Sequence, residues 1–183
     1  NLTNLVQGKH IDPNAQGELA RLLGLLGLPS NLSEDLAEKM VQSRQPGGAW
    51  LPPRTLDDLV AWGWGPDQIE RLRAHVTILP ERTSINVNTA SPEVLSATVE
   101  GLSLAAAERL VQSRARSPWV QSSQAQAAFG GKFDTHRHDI GSRFFLLHGR
   151  LRLGPTEVTQ TGLVKRDGQP VLAAGLPGTG ITI

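Results

Sequence analysis

The hydrophobic pattern of the chain changes once, near Gly130-Gly131, and this change limits the folds open to it. From Asn14 to about Phe129, apolar residues recur at the three- and four-residue spacing of helices. After Gly130-Gly131, an apolar run at residues 144–147 leads into a stretch that alternates apolar and charged residues, as strands do. A helical block followed by strands predicts an α+β fold with an antiparallel sheet rather than an alternating α/β fold.

The strand-like region predicts an antiparallel meander. Residues 151–153 continue the alternation, and residues 158–164 form a second strand-like stretch. Asp167-Gly168 predicts a hairpin turn before Val171-Leu172, because both central residues of a type I′ turn need positive φ. Residues 1–12 alternate weakly and predict a strand or an extended lead-in. Since a lone terminal strand is unstable unless a sheet takes it, residues 1 to about 14 are expected to pair with a sheet built from residues about 140 to 174.

Capping and breaking residues predict where the helices begin and end. The predicted starts are Ser30 or Asn31, Thr55, Pro66 and Ser91-Pro92, and the predicted ends are Gly27 with Pro29, Pro46-Gly47-Gly48 and Pro118.

An internal repeat lies within the helical block. Residues 37–44 (AEKMVQSR) match residues 107–114 (AERLVQSR) at an offset of 70 residues, and a tryptophan follows each copy, at Trp50 and Trp119. The repeat predicts two helical hairpins that use the same amphipathic packing.

Composition excludes several classes of protein. The chain has 183 residues and no cysteine, which excludes disulfides, iron–sulfur clusters, thiolate zinc sites and cysteine nucleophiles. Its formal net charge of +1 excludes a strongly basic chain. No stretch approaches the ~20 apolar residues of a membrane span, and no signal-peptide pattern is present. Because the sequence opens without Met, we expect it to be a piece of a longer protein.

One functional hypothesis is nucleic-acid binding. Residues 85–90 (INVNTA), a helix, a glycine turn and a second helix resemble helix-hairpin-helix proteins, whose turn N–H groups hold a phosphate. In this chain the turn contains Glu100, and Glu108 interrupts a stripe formed by Arg109, Arg114 and Arg116. Arg44 and Arg114 each end a predicted helix, where a cation favours the terminal carbonyls, so neither is expected to bind DNA.

A second hypothesis is a metal site near residue 136. His136 and His138 would face one side of an extended chain, and zinc would need a further ligand such as His148 or Asp134. Calcium would instead use Asp134, Asp139 and loop carbonyls. The alternative is a polar loop beside a Gly-Gly turn.

The sequence does not predict an enzyme. The nucleophile-elbow, zinc-protease and Walker patterns are missing, and the glycine-rich tail at residues 175–180 precedes no helix that could hold a phosphate. The four tryptophans are expected to pack in the core, although Trp62-Gly63-Trp64 at a turn could instead offer an exposed aromatic anchor to a partner.

Several segments together resemble the minor pseudopilin K family of the type II secretion system, also called general secretion pathway protein K. They are NLTNL at residues 1–5, QIERL at 68–72, VTILP at 76–80, INVNTAS at 85–91 with EVL at 93–95, and SRFF at 142–145. The family usually has an Asp-Trp-x-Asp stretch in its helical domain, whereas this chain runs directly through Arg44-Gln45-Pro46-Gly47.

The resemblance implies a pilin-like antiparallel scaffold with a large inserted all-helical domain. The scaffold would be residues 1–14 and 130–183, and the helical domain would be residues 15–129. The family also implies calcium binding in the pilin-like part, for which Asp134 and Asp139 are the candidates, and it implies no required cofactor.

The resemblance also implies a non-enzymatic role and a location. The chain would be the periplasmic domain of a bacterial inner-membrane protein, with its membrane helix before Asn1. It would form the tip of the periplasmic pseudopilus with the minor pseudopilins I and J and aid protein export, with secreted exoproteins as further candidate partners. A helix-hairpin-helix nucleic-acid-binding module is the alternative.

Overall fold

The structure is a computed structural model that describes residues 1–154 and 156–166. Contacts between residues divide the chain into two units, Asn1–Ile140 and Gly141–Ile183. The first unit is mostly helical, and the described part of the second is an antiparallel strand pair. The α+β class is therefore confirmed.

Six α-helices make up most of the first unit. They are α1 (Pro13–Leu25), α2 (Leu32–Gln42), α3 (Pro66–Arg73), α4 (Pro92–Thr98), α5 (Leu104–Arg116) and α6 (Ser122–Ala128). Two 3-10 helices, Leu2–Leu5 and Leu56–Trp62, and four two-residue strands complete the unit: β1 (Val6–Gln7), β2 (His10–Ile11), β3 (Ile85–Asn86) and β4 (His138–Asp139). Across the described residues, every helix is too short or too polar to cross a membrane.

Side chains that precede a helix determine where it begins. Ser91 accepts a hydrogen bond from the Val94 amide at 3.3 Å, and Pro92 occupies the first helical turn, so the predicted start of α4 is confirmed. Asp12 does the same for α1, accepting from the amides of Asn14 at 3.0 Å and Ala15 at 3.2 Å. These caps satisfy backbone donors that have no partner within the helix.

The internal repeat corresponds to two helical hairpins. Helix α1 packs against α2, α4 packs against α5, and α1 also packs against α4. Gly27 and Gly101 lie between the helices of each hairpin with φ of +68° and +66°, a conformation that glycine adopts without strain. Ala37 and Ala107, the first residues of the repeat, are fully buried in two separate hydrophobic clusters. The predicted common packing is therefore confirmed.

Three tryptophans lie in the core of the first unit. Trp62 and Trp64 are 4% and 2% exposed, and Trp119 is also buried. Gly63 between the first two has φ of +90°, and this left-handed turn ends the 3-10 helix Leu56–Trp62. The prediction of core packing is confirmed for these three, whereas Trp50 is only partly buried against the same cluster as Trp62 and Trp64. The hypothesis that Trp62-Gly63-Trp64 is an exposed anchor is wrong.

The first residues of the chain pack with the helices. Leu2, Leu5 and Val6 are buried in the same hydrophobic cluster as residues of α1, α2 and α3. The amide of Leu2 donates to the Thr77 carbonyl at 2.8 Å, and the Thr3 hydroxyl donates to the Leu79 carbonyl at 2.6 Å.

The predicted pairing of residues 1–14 with the C-terminal sheet requires correction. Strand β1 pairs instead with β2, as an antiparallel hairpin with Val6 opposite Ile11, because a turn through Gly8 brings the partner strand only four residues away. Residues 1–14 lie in the unit that extends to Ile140. The assignment of a pilin-like scaffold and an inserted helical domain remains a prediction.

The second unit contains β5 (Phe144–Leu153) and β6 (Thr156–Lys165), which pair antiparallel from Phe144 opposite Lys165 to Leu153 opposite Thr156. Gly154 begins the connection between them with φ of +61°. The predicted turn at Asp167-Gly168 and the strand at Val171-Leu172 lie outside the described residues.

We predict that Gly48→Ala destabilises the first unit. A Cβ at residue 48 would lie 2.1 Å from the backbone oxygen of Gln42, so the backbone would have to move. We expect a loss of about 1 to 3 kcal/mol in the free energy of unfolding, as for other overpacked sites, measured by chemical denaturation.

Gly24→Ala is the matched control for this substitution. Gly24 lies in α1, and a Cβ there meets no atom within 4 Å. Because alanine favours the helix, this variant should be stabilised by about 0.5 to 1 kcal/mol. Equal stabilities of Gly48→Ala and the parent chain would contradict the prediction.

Candidate functional site

The segment Ile85–Ala90 directly precedes the second hairpin and begins with β3. Strand β3 runs parallel to β4, with Ile85 opposite His138 and Asn86 opposite Asp139. The amide of Ile85 donates to the Arg137 carbonyl, and the amide of Val87 donates to the Asp139 carbonyl, each at 2.8 Å. This pairing brings the two ends of residues 85–139 together, because β3 is at one end and β4 is at the other.

Asn88 connects three separate parts of this stretch. Its side-chain amide donates to the carbonyls of Trp119 at 2.8 Å and Ile140 at 2.9 Å, and its oxygen accepts from the Trp119 amide at 3.1 Å. The neighbouring Asn86 side chain accepts from the Asn88 amide at 2.9 Å, which forms the local turn. One side chain thus holds together the loop after α5 and the end of β4.

Arg114 provides the second polar anchor. It is 8% exposed, and its guanidinium donates to the carbonyls of Val87 and Ala90. Burial lowers the pKa of this guanidinium from its ordinary value. The carbonyls lie in the segment before α4, whereas the sequence predicted the terminal carbonyls of the helix that carries Arg114. The buried position agrees with the prediction that Arg114 does not bind DNA.

Aromatic rings surround these polar anchors. The ring of Phe129 lies 5.4 Å from that of Trp119 and 6.0 Å from that of Phe133, measured between centroids. Phe133 in turn lies 5.6 Å from the His138 ring. The rings of Trp119, Phe129 and Phe133 belong with the buried Val87 to one hydrophobic cluster, and this apolar surrounding strengthens the hydrogen bonds beside Val87.

The turn of the first hairpin uses its backbone groups internally. The amide of Leu28 donates to the Leu23 carbonyl at 2.8 Å, and Arg71 donates to the carbonyls of Leu26 and Gly27 at 3.4 and 3.5 Å. The second turn is similar: the amide of Leu102 donates to the Val99 carbonyl.

A cation also covers the second turn. Lys132 Nζ lies 2.8 Å from the carbonyl oxygen of Gly101. Helix-hairpin-helix proteins present free N–H groups of this turn to a phosphate, whereas the amide of Leu102 is already bonded to the Val99 carbonyl. Arg109 and Arg116 are exposed, but they flank the buried Arg114 rather than a phosphate-binding turn.

His75, Ser91 and Glu93 form the grouping in the first unit that most resembles a catalytic one. His75 Nδ1 lies 2.9 Å from Ser91 Oγ and 3.7 Å from Glu93 Oε2. A nucleophilic triad places the hydroxyl and the carboxylate on opposite ring nitrogens, whereas both contact Nδ1 in this chain. The Ser91 hydroxyl also caps α4, so the grouping links α3 to α4.

The two calcium candidates each bind a nearby backbone amide. The Asp134 carboxylate accepts from the His136 amide at 2.9 Å, and the Asp139 carboxylate accepts from the Ile140 amide at 2.7 Å. Both aspartates are exposed. No group of three or more His, Asp or Glu side chains arranged to hold a metal occurs within residues 1–154 and 156–166. Calcium binding by Asp134 and Asp139 remains a prediction.

The histidines of the metal hypothesis have different surroundings. His136 is exposed, and His138 is only 3% exposed. His138 Nδ1 accepts from the Asp134 amide at 3.1 Å. His148 lies on β5 of the second unit, with Nδ1 2.9 Å from Thr161 Oγ1. Burial, aided by the charge of Arg137, lowers the pKa of His138 and keeps its ring neutral near pH 7.

A polar cavity of about 350 Å³ lies between the start of α1 and the segment before β3. Two ion pairs line it, Asp12 with Arg82 at 2.6 Å and Glu18 with Arg137. Burial favours the neutral form of Asp12, but hydrogen bonds from Arg82 and from the amides at the start of α1 outweigh this and lower its pKa. Each charge has a counter-charge, so these side chains fasten α1 to residues 82 and 137.

Comparison with protein families matches one stretch of the chain, residues 85–139. A family model described as "Type II secretion system (T2SS), protein K" matches this range. A "Type II secretion system protein K" from Pseudomonas aeruginosa PAO1 is 24% identical over 179 residues, which cover 84% of this chain and 54% of the relative. The chain thus spans about half the length of that protein. The resemblance to protein K is therefore confirmed.

The match to the protein K family coincides with a structural boundary. It begins at Ile85, the first residue of β3, and ends at Asp139, the last residue of β4. Sequence reasoning found the asparagine segment through the resemblance but missed its partners, Trp119, Ile140 and β4. Strands of two residues have no periodicity that could have revealed them.

We predict that Asn88→Ala destabilises the first unit by about 2 to 3 kcal/mol, because three hydrogen bonds are lost and partly buried backbone groups lose their partner. Thr89→Ala is the matched control, since Thr89 is exposed, and its effect should stay within about 0.5 kcal/mol. Chemical denaturation followed by tryptophan fluorescence measures both. Equal losses in the two variants would argue against the role of Asn88.

We predict that His138 makes the first unit less stable in mild acid. Its folded pKa lies below the unfolded value of about 6.5, so its contribution is complete above that pH and is lost as the pH falls towards the folded pKa. His138→Asn retains an acceptor for the Asp134 amide but does not titrate. Between neutral pH and about pH 5 the parent chain should lose more stability than the variant. Parallel stability curves for the two proteins would contradict this prediction.

Proposed function

We propose that this chain is the periplasmic part of a minor pseudopilin of the type II secretion system and acts at the tip of the pseudopilus. The observation that carries the proposal is the family match to residues 85–139, whose two ends the pairing of β3 with β4 brings together. The similarity to protein K of Pseudomonas aeruginosa extends over most of the chain and supports the same function.

The role we propose is assembly rather than catalysis. The polar side chains around the asparagine segment bind backbone groups of the chain itself, as Asn88 and Arg114 illustrate. The His75–Ser91 contact caps a helix. A near-neutral chain also suits packing between subunits better than electrostatic capture of a ligand.

The size of the first unit supports the proposed tip location. Residues 1–140 are about as large as a whole domain. In a stack of pseudopilin subunits, this volume would have to fit between the globular parts of successive subunits. A subunit with a globular part of this size fits best where no further subunit follows. In this proposal the antiparallel β5–β6 pair belongs to the pilin-like scaffold and the helices are the insertion.

The proposed partners are the minor pseudopilins I and J, with secreted exoproteins as further contacts. A membrane helix preceding Asn1 in the complete protein would anchor it in the inner membrane. Calcium bound through Asp134 and Asp139 would be an additional feature of the complex.

Co-purification tests this proposal. We predict that the complete protein containing this chain, produced together with minor pseudopilins I and J of the same bacterium, forms a complex that elutes as one species in size-exclusion chromatography. The same protein produced with the major pseudopilin alone is the control and should elute separately. Folded I and J that elute without this chain would contradict the proposal.

A DNA titration tests the alternative function, nucleic-acid binding. A helix-hairpin-helix module would bind duplex DNA with an affinity that falls steeply as salt rises. We expect no binding at physiological salt, and salt-dependent binding that is lost on Arg109→Gln and Arg116→Gln would favour the nucleic-acid hypothesis instead.

A further inference from the structure

We draw no further inference here: the strongest candidate, the solvent-exposed apolar face of the β5–β6 hairpin that includes Leu147, Leu151 and Val158, carries none because nothing in the part of the chain that the structure describes shows what covers it.

Discussion

The architecture of the first unit depends on one requirement. The backbone carbonyl and amide groups of residues 85–90, a non-helical segment beside apolar helices, need hydrogen-bond partners. Buried backbone groups without partners are costly, and residues 85–90 cannot use helical hydrogen bonds. Arg114 donates to the carbonyls of Val87 and Ala90. The backbone at residues 137 and 139 accepts from the amides of Ile85 and Val87, and Asn86 accepts from the amides of residues 88–90. This arrangement explains why the matched stretch has both an asparagine-rich start and an arginine near the end of α5. Apolar side chains of the helices could not form these hydrogen bonds, so the polar side chains are required at this position.

The two helical hairpins show how one packing solution is adapted to different surroundings. The repeat places Ala37 and Ala107 at equivalent buried positions, but its final arginines differ: Arg44 is exposed and Arg114 is buried. In the second copy the final arginine donates to carbonyls of the neighbouring segment, those of Val87 and Ala90. In the first copy, the chain start performs a comparable role through asparagine, since Asn4 exchanges hydrogen bonds with Thr83 at 2.8 and 3.0 Å. Because α1 packs on α4, the hairpins meet through their first helices.

Local signals in the sequence predicted local structure well. Ser91-Pro92 began a helix, and Gly27 ended one, because caps and positive φ depend on neighbouring residues only. The order of helices and strands also followed from periodicity. Contacts between distant residues were not predictable in this way. Nothing near Glu18 indicates its ion pair with Arg137, and two-residue strands such as β3 and β4 carry no pattern. The metal hypothesis placed His136 and His138 together by alternation, yet only His138 became buried.

The parallel pairing of β3 with β4 has a consequence for the order in which the chain folds. Strand β3 leaves the ribosome about fifty residues before β4, which at ordinary rates of synthesis is a delay of several seconds. During that interval Asn88 lacks one of its acceptors, and the amides of Ile85 and Val87 lack theirs. The hydrogen bonds between the chain start and residues 77–83, by contrast, can form as soon as residue 83 has been made. A newly made chain should therefore form these N-terminal contacts early, while the part between β3 and β4 stays open to chaperones until β4 has been made.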